Sequence, residues 1–139
     1  MKKQKFNGIK KLKRTFEGLY ELPDGEARKK KIGGGITLYY FKEMGQHPAE
    51  AYLRDLEKPL LILQGECDVQ VKAEVDFVAY QQLLQGKDNV TFRLYEGLNH
   101  AFVPSLYGKI SKAVKEFSQE QHIGADVIAD IANWILENC

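Results

Sequence analysis

Residues 61–71, LILQGECDVQV, give the clearest indication of the fold. Together with Leu60 they begin as an uninterrupted apolar run, which is typical of a strand covered on both faces in a parallel sheet. The run stops at Gly65, and an acid, Asp68, follows three residues later. Functional side chains of open α/β sheets collect just outside the carboxyl ends of the strands. Asp68 therefore stands where a functional residue is expected.

A second strand is predicted by NVTFRLYEG, residues 89–97. Apolar and polar residues alternate along it, so it is expected to be half buried, with Val90, Phe92 and Leu94 turned inward. His100 follows this strand three residues after Gly97, within YEGLNHAF at residues 95–102. A histidine thus takes the place that the acid takes beyond the first strand.

If the two strands are neighbours, Asp68 and His100 lie side by side. The carboxylate can then fix the tautomer of the imidazole and stabilise the imidazolium that forms when the histidine accepts a proton. Taken singly, an aspartate in such a turn is more often turn chemistry, and a lone histidine is more often structural. Their joint occurrence at successive strand ends favours a functional pair.

The remaining elements complete a βαβ unit closed by a covering helix. Residues 73–86 predict a helix that ends at Gly86, a residue suited to the position after a helix. The last helix is predicted from about Ala125 to Asn138, with one broad apolar face. That face consists of Val127, Ile128, Ile131, Trp134 and Ile135. The order strand, helix, strand, helix predicts a parallel pair with a right-handed crossover.

The first 58 residues differ in character from the rest. Residues 1–31 hold eleven Lys/Arg and four Asp/Glu, a net charge of +7, whereas residues 32–139 hold nine and fifteen, a net charge of −6. Residues 5–19 have the apolar spacing of an amphipathic helix, and residues 22–31 predict a Pro-Asp-Gly turn followed by a charged stretch. Basic segments can bind nucleic acid or anionic lipid. A solvated helix face or tail accounts for this one more simply, so nucleic acid is not the expected partner.

A glycine-rich segment and a short helix follow the basic residues. Gly33-Gly34-Gly35 lacks the Lys-Ser/Thr of a phosphate-binding loop, which favours a flexible hinge. Residues 47–59 predict a short helix, with Pro48 in its first turn. The sequence therefore divides into a basic helical segment at 1–31, a segment at 32–58, and an α/β portion at 59–139.

Composition narrows the class of protein. A chain of 139 residues with 44% apolar and 28% charged residues is ordinary for one globular domain. No apolar run approaches the ~20 residues that span a bilayer, and no secretory signal is evident. The two cysteines, Cys67 and Cys139, give neither a disulfide framework nor a metal-ligand spacing. A cytoplasmic protein without membrane association, metal or other cofactor is expected.

The two strand ends also carry a resemblance. A Gly-x-x-Asp turn with a valine soon after, and a later Gly-x-x-His turn followed by a large apolar residue, are similar to the ends of two strands in α/β-hydrolases of the dienelactone-hydrolase and prolyl-oligopeptidase-like kind. The matching residues are Gly65, Asp68 and Val71 at the first strand end and Gly97, His100 and Phe102 at the second. The similarity runs from about Leu38 to Trp134.

The resemblance implies a partial α/β-hydrolase fold: the last two parallel strands with flanking helices, preceded by a helical, cap-like N-terminal segment. The closing helix with its tryptophan is matched by Trp134, and residues 38–44 (LYYFKEM) resemble the cap region. Asp68 would be the acid of a catalytic triad and His100 its general base. A serine esterase or peptidase acting on a small ester or peptide is the implied activity.

The nucleophile, the His-Gly-Gly-Gly type oxyanion loop and the early strands of the family pattern are missing. The nucleophile should lie upstream of Asp68 on a Gly-x-Ser-x-Gly elbow, yet no serine precedes Asp68. The serines of the chain are Ser105, Ser111 and Ser118. Cys67 lies in the turn of the acid itself, which makes a Cys–His nucleophile pair a weak alternative. A zinc site is weaker still, because the ligand spacing is wrong.

The sequence is therefore expected to be a C-terminal fragment of a serine hydrolase that is inactive alone. A two-stranded sheet leaves an edge open and cannot cover Leu60–Leu63 on both faces. A homodimer, or a complementary chain with the N-terminal half of a hydrolase, would cover that edge. The alternative is a non-catalytic oligomerising or interaction module with a remnant of the hydrolase fold.

Overall fold

The computed structural model describes residues 13–138. The chain divides into two compact units, Met1–Tyr52 and Leu53–Cys139. The three-segment division at residues 31 and 58 stays a prediction. Of the amphipathic helix predicted at 5–19, residues 13–17 are helical and residues 5–12 lie outside the described part of the chain.

The first unit contains three short helices after residues 13–17. They are α1 (Asp24–Lys29), α2 (Leu38–Gln46) and α3 (Ala49–Arg54), the last of which continues into the second unit. The buried side chains of Leu19, Ala27 and Leu38 form the core of this unit. The short helix predicted over residues 47–59 is confirmed as α3, which begins two residues later and ends five residues earlier.

The interpretation of residues 22–31 as a turn and a charged stretch was wrong. Pro23 is the residue before α1, and Asp24 and Gly25 lie in its first turn. The helix carries acidic residues in its first turn and basic residues in its last, which is the favourable arrangement for the helix dipole. Lys42 of α2 then fixes the start of α1, because its buried ammonium donates to the carbonyl of Leu22 and to Asp24 Oδ1, each at 2.7 Å.

The triple glycine forms a 3₁₀ turn at Gly33–Gly35. Gly34 and Gly35 both have φ of +80°, a backbone conformation that residues with a Cβ adopt at a cost. A bridge between Lys31 and Thr37 closes the loop. The glycines therefore reverse the chain before α2.

The second unit has mixed α/β character. Strand β1 (Leu60–Gly65) pairs in parallel with β2 (Val90–Tyr95), residue for residue from Leu60 opposite Val90 to Gly65 opposite Tyr95. Within residues 13–138 the sheet consists of these two strands. Both sequence predictions of a strand, and the prediction of parallel neighbours, are confirmed.

The connection between the strands departs from the predicted helix over 73–86. It begins with a wide π-helical turn, Ala73–Phe77, and continues as α4 (Val78–Leu83). Gly86 follows with φ of +81°, in agreement with its predicted role after the helix. Phe77 packs edge-on against Phe92 of β2 with ring centroids 5.6 Å apart, so this connection covers one face of the sheet.

Leu94 lies on the predicted face of β2, but the prediction that it is buried was wrong. Its side chain is 47% exposed, although Val90 and Phe92 on the same face are partly buried. Leu94 lies at the carboxyl end of β2, where it lines an open groove of about 580 Å³ together with Phe77, Val78 and Phe92. The π-helical turn covers Phe92 but leaves the side of Leu94 uncovered.

Two further helices follow β2. After a 3₁₀ turn at Ile110–Lys112 come α5 (Ala113–Phe117) and α6 (Ala125–Asn138), the closing helix with its predicted bounds. Helix α6 covers the other face of the sheet, because Trp134 Nε1 donates to Thr91 Oγ1 at 3.1 Å and Tyr95 Oη donates to Asp130 Oδ2 at 2.9 Å. Burial and the nearby Asp130 carboxylate raise the pKa of Tyr95 to about 12, so this phenol stays a donor.

Much of the apolar surface of the second unit is uncovered. Val127 of α6 is buried, but Ile128, Ile131 and Ile135 are 57%, 36% and 48% exposed. Leu60–Leu63 are only partly buried. The N–H groups of Leu60 and Glu66 bond to the β2 side, so by strand alternation those of Leu61 and Leu63 point to the opposite edge. That edge has no partner strand within residues 13–138.

None of the helices in the described part of the chain is both long and apolar enough to cross a membrane.

Candidate active site

Asp68 lies in the turn that ends β1, and its side chain is almost entirely buried. Its backbone N–H donates to the carbonyl of Gly65 at 3.2 Å, which closes the turn. Oδ1 accepts the backbone N–H groups of Gln70 at 2.8 Å and Val71 at 3.0 Å. This oxygen therefore has the turn-forming role that an aspartate commonly takes after a strand, and the other oxygen, Oδ2, faces His100.

His100 Nδ1 lies 2.7 Å from Asp68 Oδ2. The side chain of the histidine is 48% exposed and that of the aspartate 4%. Because a carboxylate only accepts hydrogen bonds, Nδ1 carries the proton, and in the neutral ring Nε2 holds the lone pair. The prediction that the two residues lie together is confirmed. Their catalytic role stays a prediction.

The environment of Asp68 favours its ionised form. Burial by itself raises the pKa of this carboxyl, but the hydrogen bonds from the Val71 N–H, from His100 and from the Gln70 N–H outweigh burial and hold the pKa below its ordinary value. Gln64 Nε2 adds a longer contact of 3.2 Å to Oδ2. The group beside the imidazole is thus an anion near neutral pH.

A close approach between two loops brings the pair together. Cys67 N–H donates to the carbonyl of Leu98 at 2.9 Å, so the turn after β1 is bonded to the segment after β2. A Cβ at Gly65 would lie 2.5 Å from the backbone oxygens of both Leu98 and Asn99. Only glycine allows the strand end and this segment to lie so close, which explains the Gly-x-x-Asp spacing.

The segment that carries His100, residues 97–107, is called the His100 loop below. Two of its supports were not predicted. Asn99 is 2% exposed, and its Oδ1 accepts the backbone N–H of Ala101 at 2.9 Å. Its Nδ2 donates to Glu116 Oε1, and Glu116 is itself 5% exposed. Glu116 lies in a polar stretch of sequence with no recognisable motif, so no sequence signal marked it.

Two of the described serines have hydrogen-bond partners other than His100. A hydrogen bond from Ser105 to Glu116 contributes to the lowered pKa of that carboxyl, and Ser118 Oγ donates to the carbonyl of Lys115 at 2.8 Å. Cys67 is a free, partly buried thiol in the turn of Asp68. Within residues 13–138 the structure shows no group of three or more His, Cys, Asp or Glu residues that could hold a metal ion.

No protein-family model, no curated protein and no solved structure matches this chain. The fold and the site therefore define a mixed α/β unit with a buried carboxylate and an exposed imidazole paired at the carboxyl ends of two parallel strands.

Proposed function

We propose that Asp68 and His100 are the acid and the general base of a serine-hydrolase-type site that acts on a small ester or peptide. The fold is the C-terminal part of an α/β-hydrolase, and a partner polypeptide supplies the nucleophile and the oxyanion hole. One observation carries the proposal: His100 Nδ1 lies 2.7 Å from a buried Asp68 oxygen while much of the imidazole remains exposed.

The chemistry follows from this arrangement. Nε2 of the neutral imidazole takes the proton of an incoming hydroxyl group as that oxygen attacks an acyl carbon. Asp68 stabilises the imidazolium that forms and keeps its ring in place, and Nε2 then returns the proton to the leaving group. The hydroxyl group of this proposal comes from outside this chain, because no serine precedes Asp68 and both Ser105 and Ser118 bond to other partners.

The open edge of β1 is where such a partner fits. Asp68 and His100 follow the carboxyl ends of β1 and β2, and α/β sheets gather their functional groups at that end. A partner strand that runs parallel to β1 would end beside them. A two-fold axis that pairs β1 with a second copy makes the strands antiparallel, because equivalent residues must exchange places. That arrangement sets the second copy's site at the opposite end, so a complementary chain suits catalysis better than a homodimer.

Hydrolysis of p-nitrophenyl acetate tests the proposal without the partner. An exposed imidazole Nε2 can attack the acetyl carbon of this activated ester, release p-nitrophenolate, and lose the acetyl group to water. His100→Ala is expected to remove most of the protein-dependent rate, and Asp68→Asn to lower it about tenfold or more. His122→Ala is the matched control, since His122 is also exposed. Equal losses in His100→Ala and His122→Ala would overturn the proposal.

A second candidate function is a non-catalytic oligomerising module. It is favoured by the apolar groove along β1, which is lined by Leu53, Leu60–Leu63 and Tyr80, and by the exposed isoleucines of α6. Surfaces of this kind mark sites of association. In this case the chain self-associates and His100 has no special reactivity toward the ester.

A further inference from the structure

Glu116 of α5 is a buried carboxylate that the acid–base chemistry does not use. Its Oε1 accepts from Asn99 Nδ2, and its Oε2 accepts the backbone N–H groups of Leu106 at 3.1 Å and Tyr107 at 2.9 Å. The hydrogen bond from Asn99 lowers the pKa of Glu116 most. Burial opposes ionisation, but the hydrogen bonds from the two backbone groups and Ser105 add to the lowering, so the pKa stays below its ordinary value. A buried anion with this many donors is fully compensated.

The donors to Glu116 belong to the His100 loop. Asn99 directly precedes the histidine, and Leu106 and Tyr107 close the loop at its other end. Glu116 therefore ties the start and the end of the loop to one helix. Asn99 in turn restrains the backbone on the far side of His100. Its Oδ1 accepts the N–H of Ala101, and its backbone N–H donates to the Val103 carbonyl at 2.9 Å.

The loop is held in a conformation that needs such support. Phe102 has φ of +56°, in the left-handed region that costs energy for a residue with a Cβ. Its N–H donates to the Asn99 carbonyl at 3.0 Å, and its own carbonyl accepts the N–H of Gly124 at 2.9 Å. Its ring packs edge-on against Tyr95 with centroids 5.9 Å apart. These contacts stabilise the turn that contains His100.

We propose that Glu116 is a positioning residue for His100, acting through Asn99 to hold the His100 loop so that Nδ1 meets Asp68. The role rests on the proposed function in so far as His100 is a general base. The effect of Glu116 on the distance between the His100 imidazole and the Asp68 carboxylate does not depend on the proposed function.

An exchange of the two buried side chains separates positioning from simple loss of stability. In Glu116→Gln the amide N–H₂ faces either Asn99 Nδ2 or the two backbone N–H groups. Two donors then face each other, and the hydrogen bonds on that side of residue 116 are lost. The double variant Asn99→Asp/Glu116→Gln restores a carboxylate facing an amide. The new acid at position 99 can still accept the Ala101 N–H, and the new amide oxygen at position 116 can accept from Leu106 and Tyr107.

The readout is the far-downfield NMR resonance of the His100 Nδ1 proton, with the rate of p-nitrophenyl acetate hydrolysis as its companion. Glu116→Gln is expected to broaden or lose the resonance and to lower the His100-dependent rate roughly tenfold or more, as small displacements of a catalytic group do. The double variant is expected to recover both. Glu120→Gln, which makes the same charge change at an exposed position, is expected to alter neither.

The outcomes distinguish the two proposals. Glu116→Gln with an unchanged resonance, or a double variant that recovers nothing, overturns the positioning role. If Glu116→Gln does not fold, the double variant is the test. A double variant that folds and shows the resonance supports the positioning role. A double variant that does not fold, or that folds without the resonance, overturns it. A wild-type protein that shows the resonance but no His100-dependent rate overturns the proposed function and leaves the positioning role in place.

Discussion

The backbone of Gly65 lies against that of Asn99, so closely that a Cβ on Gly65 would sit 2.5 Å from the Asn99 carbonyl oxygen. Gly65 is the last residue of β1, and Asn99 precedes His100. The contact between them joins the turn of Asp68 to the His100 loop. The distance between Asp68 and His100 therefore depends on a glycine at position 65.

Gly65→Ala is expected to destabilise the protein by about 1–3 kcal/mol, because the obstructing atoms are backbone oxygens that cannot rotate away. The two loops should also separate, so the Nδ1 resonance of His100 should weaken. Urea unfolding followed by circular dichroism measures the first effect and NMR the second. Gly25→Ala is the control: its Cβ would meet nothing within 4 Å, and alanine favours a helix, so stability should hold or rise. An alanine at position 65 without cost would contradict this account of the site.

The parts of the site that follow from strand direction could be predicted from the sequence. The apolar run before Gly65 and the alternation before Gly97 indicate two strands, and parallel pairing brings Asp68 and His100 together. Glu116 could not be predicted, because it approaches Asn99 from a helix 17 positions further along the chain, and only the tertiary fold determines that contact.

Other features depended on packing that the sequence pattern does not encode. Leu94 lies on the same face of β2 as Phe92 but borders an open groove. Alternation of apolar and polar residues predicts which face a side chain is on, but not whether another element covers that face. The π-helical turn at Ala73–Phe77 has the composition of an ordinary helix start. The Pro23-Asp24-Gly25 sequence is turn chemistry that here leads directly into a helix.

The stability that Asp68 provides should depend on pH. Its folded-state pKa lies below the ordinary value of 3.8, so the contribution of the ionised carboxylate is fully present above that value and is lost as the pH falls through the folded-state pKa. Asp68→Asn cannot titrate at this position. The free energy of unfolding of the wild type should therefore exceed that of Asp68→Asn by an amount that shrinks on acidification. Urea titrations of both proteins across acidic pH measure this difference, and a gap that widens as the pH falls would contradict the assignment.

The open edge of β1 should make the purified chain associate. A groove of about 320 Å³ runs beside it, lined by Leu53, Leu60–Leu63 and Tyr80. We expect a second copy to cover this groove in the absence of another protein, so sedimentation velocity at micromolar concentration should show a species larger than one chain. Leu53→Lys is expected to shift the population toward the monomer, since a charge would have to be buried.

Leu136→Lys is the matched control for the groove. Leu136 is 83% exposed on α6 and does not line the groove beside β1, so the same change there should leave the association constant within about twofold, in line with the small effects of surface substitutions. A well-folded wild-type monomer at micromolar concentration would contradict self-association through this edge.

We propose that this chain supplies an acid, Asp68, and a base, His100, but no nucleophilic serine. Intact-mass measurement after exposure to a fluorophosphonate, which labels activated serines, is the first test of this proposal. We expect a folded protein with the His100 Nδ1 resonance and no gain in mass, while a serine hydrolase in the same tube is labelled fully. A stoichiometric gain in mass that His100→Ala abolishes would overturn the proposal, since one of the chain's own serines would then be the nucleophile.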